Sequence, residues 1–254
     1  MYPILFEIPG VVLYTQTVLM ALAFMTGLWL AAREAERFGL KHAVLVKVAL
    51  WAFLGAILSA RLFFWAFFQN GTDDISLKHL CRLEALDGGF SFHGGLLGGA
   101  LCGAWAACAY KLPLLRLADA FAPGLALAMF FMRLGCLLNG CDYGMSTSVP
   151  WGVWLHGTFR HPIQLYEGVL SVLCIVPLVL TGNRSVLKPG QPFLLYLLLS
   201  SLLRFGVDFY RDEAGSAPGS LLTTQWISGS LFLASGVILF VSFCRAGSPA
   251  CKQG

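Results

Sequence analysis

Six side chains stand where a strongly apolar chain gives them little reason to be. Arg204 lies in LLRFGVDFYRDE with Asp208 four residues on and Arg211 seven on, a spacing that puts all three on one helical face. An internal salt bridge with a snorkelling arginine would account for that pattern. The second arginine, however, leaves positive charge in excess of the single carboxylate, and the planar fork of a spare guanidinium matches phosphate oxygens. Arg133, in FFMRLGCLLNGCDYG, either anchors a helix end or heads a polar site with Asn139, Asp142 and Gly144. His93, in GGFSFHGGLLGGA, is either a satisfied group at a helix interface or a base, since imidazole changes protonation near neutral pH. In GTFRHPIQLYEGVL, Glu167 falls inside an apolar run, where interfacial anchoring does not explain it. Taken together, these residues could grip an anion and move a proton.

The elements that must position them are membrane helices. The chain has 254 residues, of which 57% are hydrophobic and 12% charged, with a mean hydropathy of +0.74. That is too apolar for a soluble domain. Stretches near the roughly 20 apolar residues of a spanning helix predict spans at 11–32, 43–68, 91–110, 117–138, 164–181, 192–209 and 224–243. The expected fold is therefore an all-α, polytopic bundle of seven transmembrane helices forming one membrane domain. No Lys or Arg precedes Arg33, so the first apolar stretch is expected to be kept as a helix and not cleaved as a signal peptide.

Basic residues set the orientation. Arg33, Arg37, Lys41, Lys47, Lys111, Arg116, Arg184, Lys188, Arg245 and Lys252 fall on one side; Lys78, Arg82, Arg160 and Arg211 fall on the other. The excess puts the C-terminus in the cytoplasm and, with an odd number of spans, the N-terminus outside. His93 and the polar segment 139–163 then face outward. The net charge of +4 is small and sided, which argues for membrane orientation and against a nucleic-acid partner. Arg61, Arg133 and Arg204 lie within apolar runs, where an arginine costs about 2.5–3.5 kcal/mol at a helix centre. For Arg61 a structural pairing with Asp119 is the favoured reading.

The glycines after His93 fall as small-xxx-small pairs, Gly94/Gly98, Gly95/Gly99 and Gly99/Gly103, which let membrane helices approach closely. The eight cysteines contain no CxxC pair, so neither a metal site nor a disulfide scaffold is indicated. In a continuous helix the i,i+5 spacing of Cys136 and Cys141 separates their side chains, which disfavours a thiol redox pair unless the chain kinks at Gly140.

The order DGGFSFHGGLLGG, RLGCLLNGCDYG, RHPIQLYE, RFGVDFYR and LTTQWIS resembles the bacterial prolipoprotein diacylglyceryl transferases over essentially the whole chain. The resemblance implies a plasma-membrane enzyme with its site toward the outer face and no cofactor or metal. It would take phosphatidylglycerol as donor and the lipobox cysteine of a prolipoprotein as acceptor, forming a thioether and releasing glycerol phosphate. Carried over by motif, His93, Arg133 and Arg204 are the catalytic positions. Asn139, Gly144, Glu167, Asp208, Arg211, Gly94 and Gly95 are the substrate-binding ones.

The chemistry suits those residue types. A free thiol has a pKa of about 8.5 and attacks as thiolate, so His93 would assist its deprotonation or orient the headgroup, while Arg133 and Arg204 clamp the phosphate. Several positions depart from the family pattern. Asp208 replaces a glutamate, Gln16 stands where a tyrosine is frequent, and Met132 replaces a glycine. Cys136 and Cys141 stand where the best-known members have asparagine and glutamate, and segment 145–160 is short. Those departures keep open a protein of the same fold that binds or transports anionic phospholipid, or transfers it to another acceptor.

Overall fold

The computed structural model describes residues 4–8, 11–68, 91–182, 187–212 and 222–247. They are mostly helical, and six helical stretches are long and apolar enough to cross a membrane: Thr15–Phe38, His42–Phe64, Leu114–Asn139, Ile163–Leu180, Gln191–Tyr210 and Thr223–Cys244. Large apolar side chains such as Leu101, Trp226, Leu233 and Phe240 lie exposed on these helices and on the shorter Gly94–Ala109, as lipid-facing residues must. The chain divides into two compact units, Phe38–Leu117 and the remainder.

The smaller unit is built on α2 (His42–Phe68) and α3 (Phe92–Ala109). Ser91 caps α3 by accepting the Gly94 N–H, and its own N–H donates to the Ala60 carbonyl at 3.1 Å. The glycine pairs act as their spacing predicts. A Cβ at Gly98 would stand 2.6 Å from the Gly55 carbonyl oxygen, and one at Gly94 would stand 2.7 Å from that of Ser59. Gly95, Gly99 and Gly103 face Ala60, Ala56 and Ala52 in turn. The close approach lets the Ser59 hydroxyl donate across the interface to the Gly94 carbonyl at 2.6 Å. Gly94 and Gly95 are thus helix-packing positions in this unit. The described residues include the backbone of His93 in the first turn of α3 but not its side chain.

The larger unit opens with a hairpin, β1 (Ile4–Ile8) against β2 (Val11–Tyr14), followed by α1 (Thr15–Ala35). The first span was expected to begin at 11; β-branched Val11 and Val12 instead pair as strand, and the helix starts four residues later. Next come α4 (Leu114–Asn139), a second hairpin of β3 (Val153–Leu155) and β4 (Thr158–Arg160), α5 (Ile163–Leu173) and α6 (Ile175–Gly182). The single predicted span 164–181 is broken at Cys174, where Pro177 has no N–H to give to the carbonyl four residues back. Finally α7 (Gln191–Val207) runs into a 3₁₀ turn at Asp208–Tyr210, and α8 (Thr223–Gly247) packs on α7.

Two contacts fix α4 within this unit. A Cβ at Gly27 would stand 2.9 Å from the Gly124 carbonyl oxygen, while Gly135 lies against Gln16 and Leu19, so α1 and α4 run antiparallel in close contact. Buried Asp119 accepts the backbone N–H groups of Gly190 at 2.6 Å and Phe193 at 3.0 Å. The carboxylate offered as a partner for Arg61 therefore caps the orphan donors of the α7 N-terminus.

Replacing Gly98 by alanine should cost about 1–3 kcal/mol through overpacking, read as a lower thermal midpoint of the protein in detergent. Gly206→Ala, where no neighbouring side chain or other segment among the described residues lies within 4 Å of the added methyl, should be neutral or gain up to about 1 kcal/mol. Equal midpoints for the wild type and Gly98→Ala would contradict the close α2–α3 approach.

Candidate functional site

The polar site of the larger unit is assembled where α4, α5 and α7 end or begin. Arg133 sits two turns before the end of α4, Glu167 in the second turn of α5, and Arg204 in the last turn of α7. Gly168 allows the approach of α5, since a Cβ there would stand 3.2 Å from the Phe130 ring and 3.6 Å from Arg133 Cβ.

At its C-terminus α4 closes in a left-handed turn. Gly140, at φ 80°, donates its N–H to the Leu137 carbonyl at 3.2 Å, and Cys141 donates to that of Cys136 at 3.1 Å. This Schellman geometry requires the positive φ that glycine supplies without strain. Asp142, also left-handed at φ 56°, turns the chain so that its carboxylate comes back to the helix it has just left.

Three arginines and three carboxylates meet there. Arg204 Nη1 lies 2.7 Å from both Glu167 oxygens, and Arg211 Nη2 lies 3.3 Å from Oε1. Arg133 Nε stands 2.5 Å from Glu167 Oε2, but its N–H points off that line, so this is a charge contact and not a hydrogen bond. Asp142 accepts from Arg133 Nη1 at 2.7 Å and from Arg211 Nη1 at 3.0 Å. Asp208 Oδ1 accepts from Arg211 Nε at 3.1 Å and lies 3.3 Å from Arg204 Nε. The Glu167 and Asp208 side chains are 6% and 0% exposed, against 40% for Asp142, so the cluster opens on the Asp142 side.

The expected excess of positive charge is corrected by this geometry. Within one segment two arginines face one carboxylate, but the fold brings in Glu167 and Asp142 from elsewhere and the cluster balances. What remains available is hydrogen-bonding capacity. Nη2 of Arg133 and Nη2 of Arg204 have no acceptor among the described residues, whereas all three nitrogens of Arg211 are engaged. Asp208 Oδ2 and Gln164 Oε1 are buried acceptors without a described donor.

A loop scaffold holds Arg211 in place. The 143–147 segment lies between the β3–β4 hairpin and residues 210–212: the Met145 N–H donates to Tyr210, that of His161 to Met145, and Gly144 pairs with Arg211. Gly144 is a packing position, because a Cβ there would stand 2.6 Å from the His161 carbonyl oxygen. Arg160 donates to the Gly144 carbonyl at 3.2 Å, pairs with Asp212, and lies over the Tyr143 ring. Asn139 is exposed, its Nδ2 3.9 Å from Cys141 Sγ, and it does not join the cluster.

Residues 3–241 match the family model of the prolipoprotein diacylglyceryl transferases. The chain belongs to that family. It is 34% identical over 221 residues to a phosphatidylglycerol–prolipoprotein diacylglyceryl transferase of Geobacter sulfurreducens, covering 84% of each chain. It is 31% identical over 260 residues to the protein of that name from Geobacillus kaustophilus, covering 96% of this chain and 93% of the other. In this member of the transferase family, the sequence motifs account for Arg133, Glu167, Arg204, Asp208 and Arg211 in the cluster. Asp142, which the sequence places with Asn139 and Gly144 in a polar site headed by Arg133, holds two of the arginines; its sequence cue is a carboxylate just past a glycine helix stop.

Burial opposes ionisation of Asp142, but Arg211 and Arg133 outweigh it and hold its carboxyl below the usual range. Burial likewise opposes the charge of Arg211, which Asp142, Glu167 and Asp208 more than restore, so its pKa is raised. A depressed carboxyl gives stability that is present above the unfolded pKa of about 3.9 and is lost as pH falls through the folded value. A raised arginine gives stability lost only in strong alkali. The thermal midpoint should therefore be insensitive to these two groups between about pH 5 and 9 and fall below about pH 4. In Asp142→Asn that acid limb should be shallower; an identical limb would mean that Asp142 is not held by the arginines.

Proposed function

We propose that the protein transfers the diacylglyceryl group of phosphatidylglycerol to the lipobox cysteine thiol of a prolipoprotein, as an enzyme of the bacterial inner membrane. The observation that carries this reading is that Nη2 of Arg133 and Nη2 of Arg204, at the ends of two apolar helices and fixed by the same buried glutamate, have no acceptor among the described residues. A phosphate diester can accept from both forks without expelling any carboxylate.

The acceptor thiolate attacks the phosphate-bearing carbon of the diacylated glycerol. The carbon–sulfur bond forms as the carbon–oxygen bond breaks, and the electron pair leaves on glycerol phosphate. The charge growing on that monoester is what Arg133 and Arg204 stabilise, in surroundings where such contacts are worth more than in water. His93 takes the thiol proton or orients the headgroup. Glu167, Asp208 and Arg211 set the arginine forks, Asn139 and Gly144 shape the turn and loop beside them, and Gly94 and Gly95 hold the α2–α3 contact of the smaller unit on which His93 stands.

Gly94–Ala109 serves as the seventh span, its 16 residues being the shortest of the set. The basic-residue asymmetry then places the N-terminus and the site outside and the C-terminus in the cytoplasm.

Arg204→Ala should lower transfer from labelled phosphatidylglycerol to a lipobox peptide by about 10²–10³-fold, and Arg204→Lys, which keeps charge but loses the fork, should recover only part of it. His93→Gln should abolish transfer while leaving phosphatidylglycerol binding intact. Transfer persisting in His93→Gln would remove the histidine from the chemistry and favour a protein that holds the lipid without reacting it.

A further inference from the structure

The turn that ends α4 folds two thiols together, a feature the lipid-transfer reading does not use. In a Schellman turn the second residue past the helix stop returns over the third residue before it, usually as an apolar contact. Here those positions are Cys141 and Cys136. Their main chains are joined by the 3.1 Å bond from the Cys141 N–H to the Cys136 carbonyl. Cys141 Sγ lies 3.6 Å from the same carbonyl oxygen, so the Cys141 side chain is folded back onto the residue that carries the Cys136 thiol. The side-chain separation expected of a continuous helix fails because the helix stops at Asn139 and Gly140 reverses the chain.

A disulfide needs Cα atoms about 4.4–6.8 Å apart, and two residues that close such a hydrogen-bonded ring lie within that reach. Both thiols are partly accessible. The neighbouring Cys136 thiol lowers the Cys141 pKa to about 6 against the opposing effect of burial. Cys141 is therefore the attacking sulfur and Cys136 the resolving one.

We propose that Cys136 and Cys141 are a dithiol–disulfide pair at the rim of the arginine–carboxylate cluster, closed by exchange with an external low-molecular-weight disulfide. The Cys141 thiolate attacks one sulfur of that disulfide, forming a mixed disulfide and releasing one thiolate. The Cys136 thiol then loses its proton and attacks Cys141 Sγ, forming the internal bond and releasing the second thiol. The pair gives up two electrons and the external disulfide takes them. The next residue, Asp142, holds Arg133 and Arg211, so the bond staples the turn that carries one wall of the cluster.

The test uses the full chain in detergent with oxidised glutathione in excess. Residual thiols are blocked with N-ethylmaleimide, and the peptide that follows Arg133 is mapped by mass spectrometry. In the wild type, Cys136 and Cys141 should both lose alkylation, carry no glutathione, and recover two alkylatable thiols after dithiothreitol. In Cys136→Ser, Cys141 should retain one glutathione. A wild-type Cys141 that keeps glutathione beside an alkylated Cys136, bonds to other cysteines instead, or full alkylation of both thiols would each overturn the pair.

Discussion

The carboxylate of Glu167 is the contact on which the site depends. It touches Arg133 from α4, Arg204 from α7 and Arg211 from the segment beyond α7, with distances from 2.5 to 3.3 Å. Each of those cations would be costly inside an apolar bundle. One buried acid shared among three makes their burial tolerable, because the arginines compete for the same two oxygens and each keeps part of its fork turned elsewhere. Removing the acid would leave uncompensated buried charge, which is far worse than losing an ion pair at a surface. The apolar packing of α1 against α4 and the capping of α7 by Asp119 then determine where those guanidinium groups stand.

A balanced cluster suits a site that must admit and release an anion. Three arginines without carboxylates would hold phosphate tightly and give up a charged product slowly. With Glu167, Asp142 and Asp208 present, the field is close to neutral, and in the proposed reading phosphate binding rests on directed hydrogen bonds. Interactions that strengthen as charge develops on the leaving phosphate lower the barrier, whereas uniform tightening does not. The asymmetry in exposure also matters: Glu167 and Asp208 are sealed, and the cluster is open on the side of Asp142.

Much of this was legible in the residues themselves, and the rest fails for identifiable reasons. Hydropathy located the apolar helices because a bilayer admits few alternatives, and small-residue spacing located a close helix approach on α3, though not its partner α2. The Arg204–Asp208–Arg211 pattern predicted a shared helical face. The chain leaves the α-helix at Asp208, yet Arg211 still reaches back to that carboxylate. The charge balance was not visible, because Glu167 and Asp142 join the arginines only across long sequence separations. The strands Ile4–Ile8 and Val11–Tyr14 were hidden in apolar sequence whose hydropathy is the same whether it pairs or coils. The relation of Cys136 to Cys141 turned on one glycine: the same five-residue spacing separates two side chains in a helix and joins them across a left-handed turn.

The central claim is that this arginine–carboxylate arrangement performs lipid transfer and does not merely hold lipid. The most direct measurement is rescue of bacteria depleted of their own diacylglyceryl transferase by this chain, followed by mass analysis of a reporter lipoprotein. The account predicts growth and a lipobox cysteine carrying a diacylglyceryl thioether. Expression in the membrane with the reporter left as unmodified prolipoprotein would contradict it.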